Sequence, residues 1–303
     1  MARTCTVIVN PVSGGYCPEL GDSIVALLQS AGQNAVLRQT RAAGDAAVLA
    51  KEAAAGDALI VVCGGDGTVG EVITGIGSGA ATLAVIPVGT ANVLALELGI
   101  DSIEKGLAAL VAGVSRPLAL GSATTASEER RFALMAGIGF DGRVVAAVRP
   151  HEKRRFGKGA YLLAALRCLY HWEITPLAVT LDGRSIACHG LIVCNARHYG
   201  GAFQLARRAD PFTSGFEVVC IHGPLRRDYL RLCLAVVLGR VEKCRGISVL
   251  SAARVSVAGV AAIQLDGDAW LNTPAIFTAE SGGLRIIVNA GKSTGASFRA
   301  SSF

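Results

Sequence analysis

The first third of the chain alternates short, continuous apolar runs with segments of helical pattern, and this alternation limits the fold more than any other feature. The apolar runs are typical of buried strands: Val7–Val9, Ala35–Arg38, Leu59–Val62 and Leu83–Ile86. The intervening segments have the spacing or the composition of helices: Ser23–Ser30, Asp45–Ala55, Val69–Gly75 and Asn92–Leu98. Buried strands joined by helical crossovers form an open parallel sheet between helical layers. The pattern predicts a three-layer α/β domain that binds its ligand at the carboxyl ends of the strands.

After Arg116 the pattern changes to short strand-like runs separated by turn signals, which predicts a β-rich, sandwich-like second domain. These runs are Arg131–Gly137, Leu177–Leu181, Arg184–His189, Leu191–Asn195, Phe216–Ile221, Ile247–Leu250, Arg254–Val257, Ala261–Leu265, Ala275–Thr278 and Arg285–Val288. Here only Tyr161–Trp172 and Arg227–Leu238 have a clear helical pattern. We expect the domains to cover residues 1–118 and 119–288.

Composition and charge restrict the location and the partners. The 303 residues are 51% hydrophobic, and the nine cysteines include no C-x-x-C pair and lie mostly in apolar runs, as in proteins of a reducing cytosol. The first residues lack the apolar core of a secretory signal, and no apolar stretch is long and uninterrupted enough for a membrane span, so we expect a cytoplasmic protein. The net charge of +6 suits an anionic partner, while 5% aromatic residues provide no stacking platform for nucleic acid.

A run of basic residues precedes the first helical pattern of the second domain, and it allows two interpretations. The run contains Arg149, Lys153, Arg154, Arg155 and Lys158. It is either a solvated loop that leads into a core helix, or a surface for anionic headgroups with the helix's aromatic residues at the level of the interface. The second interpretation predicts a protein attached peripherally to a membrane.

The sequence G-G-D-G-T at 64–68 follows a buried strand and is the strongest chemical signal in the chain. Glycines let the backbone approach a ligand closely, so that its N–H groups point at phosphate oxygens, and a helix that begins at Thr68 or Val69 adds its positive end. Asp66 would repel phosphate directly, but it suits Mg²⁺ bound to a nucleotide. A tight turn with Asp66 and Thr68 as caps explains only one or two of these residues.

Further polar loops follow other strands of the same predicted sheet. These are N-P-V-S-G-G at 10–15, P-V-G-T-A-N at 87–92 and the segment that begins at Thr40. Each alone could be an ordinary turn, but together on one sheet edge they predict a binding pocket. The G-x-G-x-x-G dinucleotide fingerprint is absent after the first strand, the G-x-x-x-x-G-K-[ST] loop is absent from the first domain, and no His/Cys cluster has zinc spacing.

Asp266 and Asp268 flank a glycine after a strand pattern of the second domain. The step could be a plain hairpin turn, like the Leu-Asp-Gly sequence at 181–183. Alternatively it supplies the carboxylate that a kinase needs to accept a proton from the acceptor hydroxyl and to orient that hydroxyl.

Taken in order along the chain, these motifs make it resemble the diacylglycerol kinase catalytic-domain family, which includes bacterial lipid kinases and sphingosine and ceramide kinases. The resemblance also covers G-I-G-F-D at 137–141, the basic run leading to Gly159-Ala160-Tyr161, and Tyr199-Gly200-Gly201. It implies a nucleotide domain, a β-rich lipid-substrate domain, a tail at 289–303 that returns to the first domain, ATP and Mg²⁺ as cofactors, and phosphate transfer to a lipid hydroxyl in phospholipid metabolism.

The resemblance also implies roles for residues that match the family's motifs. Asp266 would be the catalytic base with Asp268 in support, and Asp66 would serve the Mg²⁺ of the nucleotide. The implied ATP-binding residues are Asn10, Ser13, Gly14, Thr40, Gly64, Gly65, Asp66, Gly67, Thr68, Glu71 and Thr90.

This chain departs from the family pattern at several positions. They are Gly70, where the family usually has Asn before the Glu, Val93, where it often has Asp, Asp268 in place of Glu, and Ser214 in a metal-binding Asp-Gly step. Because of these departures, one alternative is that the chain is a nucleotide-binding regulator with weakened turnover. A NAD-kinase-like enzyme with a soluble substrate is the other alternative, because such enzymes have a similar glycine loop.

Overall fold

The computed structural model describes residues 4–54, 58–157 and 159–291. The predicted tail beyond Gly291, Lys158, and the side chains of Lys153 and Arg154 lie outside the described residues. Within them the chain forms two compact units, one that ends at Pro117 and resumes at Gly283, and one from Leu118 to Gly282.

The N-terminal unit alternates strands and helices as the apolar runs predict, and a further helix that was not predicted follows them. Its elements are β1 (Thr4–Val9), α1 (Pro18–Ser30), β2 (Asn34–Gln39), α2 (Asp45–Ala53), β3 (Ala58–Gly64), α3 (Asp66–Ile76), β4 (Ala81–Pro87), α4 (Val93–Glu97) and α5 (Ile103–Ala112). The strands pair in parallel in the order β2-β1-β3-β4, and Arg285 and Ile286 add a further parallel strand beside β4. Every residue of β3 and β4 is buried, as expected for strands covered on both faces.

The C-terminal unit begins within strand β5 and ends within strand β18. Its elements are β5 (Ser115–Thr124), β6 (Glu129–Phe132), β7 (Met135–Ile138), α6 (Phe140–Ala146), α7 (Pro150–Phe156), α8 (Gly159–Tyr170), β8 (Leu177–Leu181), β9 (Arg184–Cys188), β10 (Gly190–Cys194), β11 (His198–Tyr199), β12 (Phe203–Gln204), β13 (Phe216–Ile221), α9 (Arg226–Val237), a short 3-10 helix (Val241–Lys243), β14 (Ile247–Ala252), β15 (Arg254–Ala258), β16 (Ala262–Leu265), β17 (Asp268–Asn272) and β18 (Ala275–Ile287).

The strands of this unit form a sandwich around a shared apolar core. One sheet has the order β14-β13-β10-β7-β16-β17, with antiparallel neighbours. Opposite it, β18 pairs with β15, which pairs with β8, and β8 pairs with β9. Phe132 stacks on Phe216 at 5.7 Å between ring centroids and meets Phe277 edge-on at 6.4 Å. These rings join side chains of both sheets in one cluster, so the predicted sandwich is confirmed.

Some predicted element limits are wrong. Helix α3 begins at Asp66 rather than at Thr68 or Val69, so the aspartate belongs to its first turn. The predicted strand Arg131–Gly137 is divided into β6 and β7, and the last two predicted strands are one continuous strand, β18. Helices α6 and α7 contain glycine, proline or clustered charge and lack the apolar spacing by which sequence patterns reveal helices.

Among the described residues, no helix combines the length and the apolar character that crossing a membrane requires.

Candidate functional site

In the N-terminal unit, the loops after β1, β3 and β4 meet at the carboxyl edge of the sheet. The N–H of Asn10 donates to the carbonyl of Cys63 at 3.0 Å, and that of Gly15 donates to Val88 at 2.9 Å. The N–H of Val88 in turn donates to the carbonyl of Gly64 at 3.3 Å. The structure therefore brings the glycine loop 64–68, the loop 10–15 and the loop 87–92 together as one hydrogen-bonded cluster.

Asn10 connects the first loop to the start of α3. Its side-chain Nδ2 donates to Oγ1 of Thr68 at 2.9 Å, and its Oδ1 accepts from the N–H of Val12 at 3.2 Å. Thr68 is buried, so its hydroxyl is held beneath the loops. Asn10 and Thr68, both predicted to bind the nucleotide, are therefore in direct side-chain contact.

Packing accounts for several of the loop glycines. A Cβ on Gly64 would lie 2.6 Å from Cβ of Thr68, and a Cβ on Gly89 would lie 2.4 Å from Cα of Gly65. Those loops can approach each other only without side chains at these positions. Gly14 differs, because a Cβ there would have no neighbour within 4 Å and its backbone is not in the left-handed region. Packing among the described residues therefore does not require a glycine at this position.

Asp66 opens α3, and its carboxylate faces the first turn of α4. Its Oδ1 accepts a hydrogen bond from the N–H of Leu94 at 3.1 Å. Asn92, just before, adopts a left-handed conformation with φ of 50° and exchanges hydrogen bonds with Gly89 in both directions, at 2.9 and 2.8 Å. Asn92 belongs to the predicted motif at 87–92, but the sequence alone assigned it no role of its own. The structure shows that its side-chain amide fixes the shape of this loop.

The other predicted nucleotide residues lie on the same edge or close to it in the chain. Thr40 follows β2, is buried, and donates its N–H to the carbonyl of Val9 at 3.0 Å. Ser13 donates its N–H to the carbonyl of Asn10 at 3.1 Å, and Thr90 is exposed in the loop after β4. Glu71 lies in the second turn of α3, is half-buried, and makes none of the contacts that join the loops.

In the C-terminal unit, Asp266 clamps the turn between β16 and β17. Its backbone is left-handed, with φ of 52°. One carboxylate oxygen accepts from the N–H of Ala133 at 2.7 Å, and the other accepts from those of Leu134 and Met135 at 2.8 and 2.9 Å. These bonds hold the bend between β6 and β7, which explains why the strand predicted at 131–137 is interrupted there.

Asp268 is the more accessible carboxylate of this turn. It is the first residue of β17, its side chain is 41% exposed, and it lies 3.6 Å from a guanidinium nitrogen of Arg130. The two acidic residues therefore differ in environment, although only Gly267 separates them.

A buried polar network behind the turn was missed by sequence reasoning. The carboxylate of Asp141 accepts hydrogen bonds from the hydroxyl of Tyr199 and, at 2.8 Å, from Nε2 of Gln264. The oxygen of the Gln264 side chain accepts the N–H of Gly267 at 2.7 Å, and the carbonyl of Gly267 accepts from the hydroxyl of Tyr161 at 3.3 Å. The network thus fixes the turn that carries Asp266 and Asp268. Asp141 and Tyr199 lie in the sequence motifs at 137–141 and 199–201, and these motifs are the signal that could have revealed the network. The family resemblance includes both motifs but implies no role for them.

Burial controls the charge of this network. It raises the pKa of Asp141, and the hydrogen bonds from Tyr199 and Gln264 oppose part of that effect. The pKa of Tyr199 is raised well above its usual value, first by burial and then by the negative charge of Asp141. Tyr199 therefore remains a hydrogen-bond donor to this carboxyl group.

Helix α8, which follows the basic run, turns its large apolar side chains outward. Leu162, Leu166 and Tyr170 are exposed, whereas Ala160 and Ala164 are buried. Small residues let the helix pack closely on the unit, so its large side chains form an exposed stripe at i, i+4 and i+8.

A cavity of about 460 Å³ lies beside α8 and presents cationic groups. The basic residues in its lining are Arg143, Arg149, Arg167 and His171. Arg167 forms a bidentate ion pair with Glu152 at 2.6 and 2.8 Å, which lowers the pKa of Glu152 to about 2 and joins α7 to α8.

Within the part of the chain that the structure covers, no three His, Cys, Asp or Glu side chains form a group that could hold a metal ion. Near Ser214, the carboxylate of Asp210 accepts the N–H of Phe212 at 3.1 Å in a local turn.

Comparison with known proteins covers most of the chain. A family model described as the diacylglycerol kinase catalytic domain matches residues 4–123, and one described as a YegS C-terminal NAD kinase beta sandwich-like domain matches residues 135–288. No curated protein matches the sequence.

Solved structures share the fold at low sequence identity. Two from Bacillus anthracis str. Sterne, provisionally named as diacylglycerol kinases, have TM-scores of 0.80 and 0.79 at 21% and 22% identity, and cover 95% of this chain and 96% and 98% of their own. A third, a diacylglycerol kinase from the same strain, has a TM-score of 0.71 at 19% identity and covers 95% of this chain and 98% of its own.

Proposed function

Because the chain belongs to the diacylglycerol kinase catalytic-domain family, we propose that it is a lipid kinase that transfers the γ-phosphate of ATP to the hydroxyl of a lipid such as diacylglycerol. The observation that carries the proposal is the single cluster formed by the loops at 10–15, 64–68 and 87–92. Glycine-rich loops at the carboxyl edge of a parallel sheet are suited to phosphate groups.

The nucleotide is assigned to these loops in the N-terminal unit. Gly14 supports this role, because its glycine is required by neither packing nor backbone conformation and a close approach by a phosphate would explain it. Asn10 and Thr68 hold each other in place, and Thr40 and Thr90 supply hydroxyl groups on or beside the same edge.

Mg²⁺ fits this site as an ion shared between the nucleotide and a single protein carboxylate. Mg²⁺ characteristically binds one or two carboxylates together with substrate phosphates and water. Asp66 is the residue that would hold it, directly or through water, and the ion would neutralise charge on the phosphates. The contact with Leu94 keeps this carboxylate oriented.

We assign the acceptor step to the turn at 266–268 in the C-terminal unit. Asp266 would orient the lipid hydroxyl and accept its proton, with Asp268 in support. The backbone N–H groups that bind Asp266 fix its carboxylate in one orientation, which suits positioning a hydroxyl.

We propose that α7 and α8 attach the protein peripherally to an anionic membrane. The exposed stripe of α8 and the cationic cavity beside it have the chemistry of an acyl boundary and of its headgroups, respectively. This assignment predicts that substituting three basic residues of α7 with serine, K153S, R154S and R155S, weakens sedimentation with anionic vesicles. Three exposed basic residues of the N-terminal unit provide a control with the same change in net charge: R38S, K51S and K105S. Equal binding by the two variants would leave α7 as a solvated helix.

The test of the kinase proposal is incubation of the full chain with labelled ATP and a panel of lipids in mixed micelles, with products identified by mass. We expect a phosphorylated lipid, formed only with Mg²⁺. Phosphate on NAD would instead support the soluble-substrate alternative. Nucleotide binding without any product would support a regulator weakened at positions such as Val93 and Ser214.

A further inference from the structure

Helix α9 carries a second exposed apolar stripe, on the outer face of the C-terminal unit. Leu230, Leu234 and Val237 follow each other at helical spacing and are 54%, 59% and 63% exposed. Leu238, directly after the helix, is 57% exposed. Single exposed apolar residues are ordinary, but an uninterrupted row of them marks an interaction surface.

The fold does not need this stripe. The opposite face of α9 buries Tyr229, Leu232 and Ala235 against the unit. The helix start is fixed by Asp228, whose carboxylate accepts the N–H of Leu225 at 3.1 Å. Because α9 is anchored by its inner face and its cap, burial within the unit does not explain the outer leucines.

Arginines frame the stripe from its start to its end. Arg227 is exposed in the first turn, and Arg231, one turn later, pairs with Asp228 at 3.4 Å. At the other end, Arg240 is exposed. The guanidinium of Arg207 lies beside Gly239, since a Cβ built on that glycine would be 2.9 Å from its Nη2. In α9, all of which the structure describes, the acidic residue is Asp228, and it is buried. Just beyond the helix, the exposed Glu242 lies 3.9 Å from Arg208, so exposed arginines outnumber exposed carboxylates around the stripe.

We propose that α9 lies on an anionic phospholipid surface, with its leucines in the acyl boundary and its arginines among the phosphates. A helix with cationic flanks and an apolar outer row has the composition of an interfacial segment. The inference rests on the proposed lipid kinase, whose substrate resides in such a surface.

Two observations favour a membrane over a second copy of the chain. Arginines stand at both ends of the stripe, so pairing two copies of α9 in parallel or antiparallel brings like charges together, which is unfavourable. The start of α9 also touches the end of α8, where a guanidinium nitrogen of Arg226 donates to the carbonyl of Tyr170 at 3.2 Å. The two exposed stripes of the unit thus belong to adjoining helices.

The test compares vesicle binding by matched variants of the full chain. The first variant removes the stripe with L230S, L234S and V237S. The control removes exposed valines elsewhere with V48S, V111S and V260S, which are 58%, 68% and 74% exposed. With vesicles of phosphatidylglycerol and phosphatidylcholine, we expect the stripe variant to bind roughly 10- to 100-fold more weakly than the wild type, and the control to bind normally. The R227S/R240S variant should lose binding to these vesicles and keep any binding to pure phosphatidylcholine.

A second measurement tests the surface without removing it, in case the triple variant does not fold. In an L234W variant, tryptophan fluorescence should shift to shorter wavelength when anionic vesicles are added, and in a V48W control it should not. An unchanged L234W spectrum, or a folded stripe variant that binds vesicles like the wild type, overturns the inference. So does a stripe variant that loses self-association in analytical ultracentrifugation while binding vesicles normally, since the stripe would then cover a second copy.

The lipid panel separates this inference from the kinase proposal. Vesicle binding through α9 by a wild-type chain that phosphorylates no lipid would refute the kinase and support the surface. If the wild-type chain phosphorylates lipid but its stripe variant binds vesicles as the wild type does, the kinase proposal is supported and the α9 surface is refuted.

Discussion

Substituting Asp266 with asparagine tests both roles that the structure gives this residue, because the change preserves shape and removes charge. In the folded protein the carboxylate accepts the N–H groups of Ala133, Leu134 and Met135. An asparagine has one oxygen for these donors, and its amide nitrogen would face at least one of them. At least one backbone N–H in this bend therefore loses its partner.

The expected loss of stability follows from that count. A hydrogen bond to a charged group contributes about 1.5–3 kcal/mol, and the bonds that remain weaken when the acceptor becomes neutral. We expect D266N to destabilise the C-terminal unit by about 3 kcal/mol, which for a unit of this size lowers the unfolding temperature by roughly 6–12 °C. In D268N the exposed pair with Arg130 at 3.6 Å is lost, and pairs of this kind contribute about 0–1 kcal/mol.

The assay measures thermal unfolding and phosphate transfer on the same samples, at a temperature where D266N is folded. ATP binding should stay near that of the wild type, because Asp266 lies outside the N-terminal unit. Turnover should fall by about 10²–10⁴-fold, the range for loss of a positioned general base. The D268N variant serves as the matched control, with a smaller effect on both measurements.

Two results would refute this reasoning separately. If D266N unfolds at the temperature of the wild type, the carboxylate does not clamp the bend between β6 and β7. If folded D266N retains near-normal turnover while D268N abolishes it, the base lies two residues further on. Normal turnover by both variants would remove the turn from the catalytic mechanism.

Other substitutions test the remaining contacts. In D66N the asparagine oxygen can still accept the backbone N–H of Leu94 at the start of α4, so the fold should persist while the KM for MgATP rises by about ten-fold or more; an unchanged KM would exclude Asp66 from metal binding. G89A places a methyl group against Cα of Gly65 and should lower the unfolding temperature of the N-terminal unit, whereas G14A, with open space, should not. Q264L removes one of the two hydrogen bonds to the buried carboxyl group of Asp141, which keeps the bond from Tyr199, and it leaves the N–H of Gly267 without its acceptor. Denaturant titration should show a loss of roughly 2–5 kcal/mol, and wild-type stability would contradict the network.

The fold could be predicted where burial alone determines the sequence pattern. Strands β3 and β4 are buried along their whole length, and the sequence shows this as uninterrupted apolar runs. The end of β6 could not be predicted in this way, because its cause lies in Asp266, more than 130 residues further along the chain. Local pattern carries no information about a hydrogen bond to a distant acceptor.

The same limit applies to the candidate site. The loops at 10–15, 64–68 and 87–92 were predicted to meet, because each follows a strand whose position in a parallel sheet is predictable. The partners of Asp141 could not be predicted, since Tyr199 and Gln264 are 58 and 123 residues away. Within the turn, sequence could not separate Asp266 from Asp268 because the distinction lies in the backbone donors that reach only the first of them.

The exposed helices show why an outward-facing apolar stripe is hard to recognise in a sequence this apolar. Helical spacing predicted α8 and α9 correctly, but periodicity assigns the apolar side of a helix to the core by default. In α8 the buried side consists of Ala160, Ala164 and Cys168, and the larger apolar residues face outward. The inner side of α9 is filled by Tyr229 and Leu232, which leaves its other leucines exposed. The core is complete without these outer residues, which is why we propose contacts beyond the unit for them and, from the cations beside them, an anionic lipid as the partner.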